Sequence, residues 1–292
     1  MKKNILLIAS AIILVSCNNS TNETNEKNVE KDNTVLSAKH PDADDIISEF
    51  HLTVAEGKRL IAKGIVAHPL VKQKMESGMI IITKGTTNAY IAEELIGLTA
   101  EHGKFMSGNI SNKPFNIEVN TIPEIIVVNG KQTEMPLKDA LAAIKQGDIV
   151  FKGGNLLNYE KKQAAVVVGG SDGGTVGRIQ PYTAEGPGHL IVPIGLEKET
   201  YGNLYDYEHI LSHNIKKDGS IPRVIVHKNA EIFTEIEAIK IFGNVEVIPF
   251  ASGGINGSEG GKSFAIYGSQ AEVDKITNII SMIKGEPPFI ND

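Results

Sequence analysis

The segment MIIITKGTTNAYIAEELIG, Met79 to Gly97, decides how the folded part of this chain is read. A short apolar run, a Lys-Gly-Thr-Thr corner and then good helix formers, with Tyr90, Ile91, Leu95 and Ile96 on one face, predict strand, turn and amphipathic helix. A strand that enters a helix through glycine gathers unpaired backbone N–H groups at the positive end of the helix dipole. Such a corner either holds an anion or merely turns the chain.

Upstream, LTVAEGKRLIAKG predicts a helix with a Thr53/Glu56 capping box and a stop at Gly64, and LVKQKMESG a second, shorter helix. Downstream, PEIIVVNGKQTEM reads as a hairpin turning at Asn129-Gly130, and PLKDALAAIKQG as a helix between proline and glycine. GDIVFKGG, AAVVVGG and HLIVPIG are short apolar strands. Apolar strands alternating with helices predict an α/β fold, a mostly parallel sheet with helices on both faces, over residues 46–215. From Ile221 the runs PRVIVH, AEIFTEIEAIKIFG, VEVIPFA, KSFAIYG and AEVDKITNIISMIKG predict a smaller βαββα (ferredoxin-like) subdomain over residues 216–292, joined at Ser212 to Pro222.

Residues 1–16, MKKNILLIASAIILVS, have a basic start and an apolar core too short to span a bilayer, the pattern of a signal peptide. Leu14-Val15-Ser16-Cys17 resembles the lipobox of bacterial lipoproteins, which implies acylation of Cys17 and a folded part held outside the cytoplasm at a membrane of the bacterial cell envelope. Cys17 is the single cysteine, so no intramolecular disulfide forms. The Asn/Thr/Glu/Lys-rich remainder of residues 17–45 reads as a disordered tether. Loss of Lys2 and Lys3 on cleavage takes the formal net charge from −6 to −8. With no basic run, this acidity excludes a general nucleic-acid binder.

Three polar corners follow apolar strands: Lys84-Gly85-Thr86-Thr87-Asn88, Lys152-Gly153-Gly154-Asn155, and Gly169 to Arg178, which includes Gly173, Gly174 and Thr175. In an open α/β sheet, ligands sit outside the carboxyl ends of the strands, where Lys84, Lys152 and Arg178 would converge on an anion. The order of KGTTNA, GDIVFKGGN and VVVGGSDGGTVGR resembles the superfamily of sugar-phosphate isomerases, glucosamine-phosphate deaminases and CoA transferases. The resemblance covers Met79 to about Glu199 and implies a phosphate-cradling turn at Lys84, Gly85, Thr86 and Thr87. It carries over no catalytic residue, because the acidic motif of the isomerases is missing between Lys152 and Tyr159. Neither a P-loop nor a dinucleotide-binding glycine pattern is present, so no cofactor is expected.

For chemistry the nearby choices are Asp172, His189 and Glu197. Asp172 reads as a base or as a helix cap, His189 as an acid or base or as a structural residue at a strand entrance, and Glu197 with Lys198 as crevice residues or a solvated loop. His209 and His213 are four apart but lack a third ligand, so no metal site is expected. The glycine-rich FASGGINGSEGGKSF, Phe250 to Phe264, is a hairpin loop or a lid. These features describe a lipid-anchored protein that binds a small phosphorylated or carboxylated metabolite, with an isomerase- or transferase-like activity if a crevice carboxylate or histidine is in place. A non-catalytic binding module or an envelope interaction scaffold is the alternative. The sequence leaves oligomeric state open.

Overall fold

The computed structural model describes residues 39–98, 105–106, 122–169, 172–212 and 223–288; Cys17, the tether up to Ala38 and the joint from His213 to Pro222 lie outside them. Strand β1 (Ile46–Leu52) leads to α1 (Val54–Ala67). The Thr53 hydroxyl accepts the Glu56 N–H and the Glu56 carboxylate accepts the Thr53 N–H, the capping box read in the sequence. The helix runs past Gly64 and stops at His68. The residue before a proline is poorly accommodated in a helix, and Pro69 opens α2 (Pro69–Glu76). Gly64 is where α1 meets a later helix, as shown below.

Next come β2 (Met79–Ile82), α3 (Thr86–Ile96), β3 (Ile125–Val128) and β4 (Lys131–Thr133). Asn129 and Gly130 take positive φ angles of 48° and 75°, the pair that a tight two-residue hairpin turn requires. The chain continues through α4 (Leu137–Ala143), β5 (Ile149–Phe151), β6 (Leu156–Asn158), β7 (Gln163–Val168), α5 (Gly174–Thr183), β8 (His189–Pro193), a 3₁₀ turn (Leu196–Lys198) and α6 (Leu204–Ser212). Then follow β9 (Arg223–Val226), β10 (Ala230–Phe233), α7 (Glu235–Phe242), β11 (Glu246–Gly253), β12 (Gly261–Gly268) and α8 (Gln270–Ile283). No helix among the described residues is long and apolar enough to cross a membrane.

The main sheet has the order β10-β8-β5-β2-β3-β4. Its first four strands are parallel and β3–β4 is an antiparallel hairpin on the edge. Ile80, Ile81, Ile82, Ile149, Val150, Phe151 and Ile191 are wholly buried, as near-continuous apolar strands in a parallel sheet must be when both faces are covered. Helix α1 packs on α3 and α7. Contact with α7 is made through Gly64, where an added Cβ would stand 2.7 Å from Ala238 Cβ and 3.1 Å from the Phe233 ring.

Two three-stranded antiparallel sheets complete the fold: β1-β12-β11 and β6-β7-β9. Their pairings differ from the sequence reading. AAVVV, expected in the parallel sheet, is β7 and pairs antiparallel with β6 and β9. The elements expected of a βαββα subdomain occur in order, but β9 pairs with β7, β10 joins β8 in the main sheet, and β11 and β12 take β1 as their third strand. The physical reason is burial: Ile232 and Phe233 need cover on both sides, and β12 needs a partner that β1 supplies from some 200 residues earlier. One compact unit extends from Leu36 to Asp292.

Candidate functional site

The four parallel strands end along one edge, at Ile82, Phe151, Pro193 and Phe233, and the residues that follow them are tied together by backbone. Thr83 N–H donates to Phe151 O (3.2 Å), Lys152 N–H to Ile191 O (3.2 Å) and Ile194 N–H to Phe233 O (3.0 Å). The stretch Phe151-Lys152-Gly153-Gly154 is the middle of this edge, and its carbonyls collect side chains from several elements. Phe151 O accepts from the Thr83 hydroxyl (2.8 Å) and from Asn88 Nδ2 (3.2 Å). Gly153 O accepts from Lys152 Nζ (3.1 Å) and lies 3.2 Å from His227 Nε2, and Gly154 O accepts from Lys198 Nζ (3.0 Å). Gly154 has to be glycine, because a Cβ there would stand 2.8 Å from Ala165 O.

The Lys84-Gly85-Thr86-Thr87 corner, at the end of β2, begins α3 without a side-chain cap. Its Gly85 N–H already donates to Phe105 O (2.9 Å), and Asn88 Nδ2 clamps it to Thr83 O (2.7 Å). The corner therefore fixes the ends of β2 and β5 relative to each other.

Charge is concentrated one and two strands further along. Lys152 and Lys58, the latter from the first turns of α1, are each only 8% exposed. Burial, reinforced by the Lys198 ammonium, lowers both amino groups to about 8. His227, also buried, is pushed down to about 3 by burial and by Lys152, so its ring is neutral. Across from the lysines, Glu235 opens α7 and its Oε2 accepts the Leu196 N–H (3.0 Å). Its Oε1 lies where a Cβ on Gly57 would stand 2.7 Å away and one on Gly195 3.0 Å away, and Glu197 Oε2 crowds the same Gly195. Burial and the neighbouring Glu197 carboxylate raise Glu235 to about 8, so it carries a proton at neutral pH. The loop end of the β11–β12 hairpin lies beside Glu197: a Cβ on Gly260 would lie 3.2 Å from the Val54 side chain and 4.0 Å from Glu197 Cβ, and Lys262 pairs with Glu199 at 3.4 Å.

Of the residues singled out in the sequence, Lys84, Gly85, Thr86, Thr87, Lys152 and Glu197 lie along this edge. Arg178 is an exposed α5 residue 3.7 Å from Glu124, just before β3; since Ile125 pairs with Ile82, it stands at the edge beyond β2. Asn155 turns away, its Oδ1 accepting the Val167 N–H (3.0 Å) in the β6–β7 sheet. Gly173 and Gly174 take positive φ angles of 78° and 57° to start α5, with Thr175 buried in its first turn. Exposed Asp172 accepts the Gly174 N–H (3.0 Å) from the position before Gly173, which is the N-cap of α5 and has no side-chain cap. His189 is the first residue of β8, hence at the opposite edge of the sheet from Glu197, and its Nε2 is 2.7 Å from Glu231. His213 and the Gly170-Ser171 pair lie outside the described residues.

Sequence reasoning passed over Lys58, His227 and Glu235. His227 follows β9 directly and Glu235 stands one residue beyond the end of β10, a signal like the one that picked out Glu197. Lys58 carries no such signal, since an amphipathic helix offers several lysines and only packing shows which one is buried. No protein-family model matches the chain, and no curated protein or solved structure is significantly similar to it.

Proposed function

We propose that the edge formed by Lys58, Lys152 and Lys198 binds a small anionic metabolite, phosphorylated or carboxylated, and that acylated Cys17 holds this site at a membrane of a bacterial cell envelope. The observation that carries the binding reading is the burial of two lysine amino groups beside a third, with one of the two adjacent carboxyl groups kept protonated. Buried ammonium groups are costly unless they meet counter-charge. With Glu235 neutral, the cluster holds more positive than negative charge, and an anion supplies the balance. The lipobox motif at Leu14 to Cys17 supports the anchor.

A thermal-shift screen of phosphorylated sugars, nucleotides, CoA esters and small carboxylates tests the reading. A ligand at about 100 times its dissociation constant adds roughly 2.7 kcal/mol of stability. Lys198→Ala is expected to weaken the hit by about 1–3 kcal/mol, the loss of a charge-assisted hydrogen bond. A screen without hits, or a hit indifferent to Lys198→Ala, defeats it. Turnover is the second reading, favoured by a protonated Glu235 beside Glu197, an acid and a base in one crevice. It calls for an isomerase- or transferase-like reaction, and transformation of the bound hit by wild type but not by Glu235→Gln decides for it.

A further inference from the structure

Lys152 and Lys198 donate to the carbonyls of two successive residues, Gly153 O at 3.1 Å and Gly154 O at 3.0 Å. Among the described residues neither makes an ion pair with a carboxylate, and Lys152 is only 8% exposed. A protonated lysine has three N–H donors, and Lys152 uses one. His227 gives it no counter-charge: its Nε2 faces the same acceptor-only Gly153 O, so Nε2 carries the proton and the ring is neutral. The charged group that bears on Lys152 is the Lys198 ammonium, which, after burial, accounts for its fall to about 8. A share of Lys152 is therefore free amine at neutral pH, and the free amine is a nucleophile.

The surroundings choose the electrophile. An aldehyde or ketone would leave a protonated imine, still a cation beside Lys198, and would need room for its substituents. Carbon dioxide is small and uncharged, needs no preformed pocket, and leaves an anion. We infer that Lys152 takes up carbon dioxide as a carbamate, whose single N–H donates to Gly153 O and whose carboxylate faces the Lys198 ammonium. In the step the amine lone pair forms the N–C bond, one C=O pair moves onto oxygen, and the nitrogen gives one proton to solvent, so that R–NH2 and CO2 become R–NH–COO⁻ and H⁺. The product has one donor on nitrogen where the structure offers one acceptor, and it replaces a repelled cation with a paired anion. Lys58, lowered to the same range, is a poorer acceptor of carbon dioxide because the carboxyl groups of Glu197 and Glu235 bear on it and Glu197 would repel the product. The inference does not rest on the anion-binding reading, since the carbamate forms whether or not a metabolite binds.

The purified protein equilibrated with ¹³C-bicarbonate near pH 8 tests this. The expected result is one carbamate carbon signal in the ¹³C spectrum, separate from that of bicarbonate and lost on purging with nitrogen. Trapping with an alkyl oxonium salt, followed by peptide mass spectrometry, should place the label on Lys152. Lys152→Arg keeps the positive charge but presents no free amine, so the signal should vanish. Lys198→Met leaves the amine in place and removes the ammonium that the carbamate faces, so the labelled fraction should fall severalfold, with Lys198→Arg restoring part of it. No carbamate on the wild type, or label spread over exposed lysines with no preference for Lys152, overturns the inference and leaves the anion-binding reading standing. A labelled fraction unchanged in Lys198→Met also overturns it, because the carboxylate would then not face Lys198.

Discussion

Glu197 and Glu235 converge on Gly195: a methyl group built there would overlap Glu197 Oε2 and lie 3.0 Å from Glu235 Oε1. Two carboxyl groups this close, one of them buried, cannot both ionise at neutral pH, and the proton stays on Glu235. The pair therefore stores a cost in stability.

That cost is measurable. In the unfolded chain Glu235 ionises near its ordinary value of 4.5, and in the fold at about 8. Its contribution to stability is therefore intact below about pH 4.5 and is lost as pH rises toward 8. Glu235→Gln mimics the protonated form, since its amide oxygen can still accept the Leu196 N–H. It should match the wild type near pH 4.5 and exceed it by about 1–3 kcal/mol above pH 8 in denaturant titrations. A stability difference that stays flat from pH 4.5 to 9 would contradict the assignment.

Lys152 stores the complementary cost. Its amino group falls from 10.5 to about 8, chiefly through burial, so the folded state loses stability as pH drops from 10.5 through 8. Lys152→Met is expected to be more stable than the wild type by about 1–3 kcal/mol at pH 7, with the gain vanishing as pH approaches 10.5. Lys58 titrates in the same window but is present in both proteins, so the difference curve isolates Lys152. Anion binding should fall in the same variant, the usual opposition between stability and a working site. A variant both less stable and fully competent to bind would reverse the reading.

What the sequence made legible was local. Thr53 with Glu56, Asn129-Gly130 and the apolar MIII run specify their elements within a few residues, and the corners at Lys84, Lys152 and Glu197 follow from strands that simply end. Pairing was not legible: nothing in AAVVV says that Arg223 to Val226 will lie beside it, or that Ile46 to Leu52 will complete the sheet of β12. Burial of Lys58 and protonation of Glu235 depend on packing between α1, α7 and the turn after β8, which no window of sequence contains. His189 was legible after all, because a residue that opens a parallel strand faces the edge away from its carboxyl end.

The contact between α1 and α7 gives a test of packing. At Gly64 a Cβ would meet Ala238 Cβ at 2.7 Å and the Ala238 backbone at 2.8 Å, closer than side chains approach one another. Alanine favours a helix interior over glycine by roughly 0.5–1 kcal/mol, but forcing two packed helices apart costs about 1–3 kcal/mol. Gly64→Ala should therefore be destabilised overall, and the double variant with Ala238→Gly should recover most of the loss. If Gly64→Ala alone is more stable in chemical denaturation, the helices have room to separate and the close contact is not what excludes a side chain there.

At the other end of the sheet, Glu231 bridges two histidines, with His189 Nε2 2.7 Å and His68 Nε2 3.1 Å from its two oxygens. His68 Nδ1 accepts the Leu70 N–H that caps α2, so His68 Nε2 carries the proton and donates to Glu231. The hydrogen bonds from His189 and then His68 draw Glu231 down to about 2 from 4.5. A carboxyl group held below its ordinary value adds stability that is complete above pH 4.5 and disappears as pH falls to about 2. Glu231→Gln should thus lower the melting temperature at pH 7, and the two melting curves should draw together between pH 4.5 and 2. Because this trio sits at the edge remote from Lys152 and Glu197, anion affinity should be the same in Glu231→Gln as in the wild type. A weakened ligand response would show that the two edges are coupled, and a melting difference that persists unchanged to pH 2 would show that the bridge contributes through something other than the charge on Glu231.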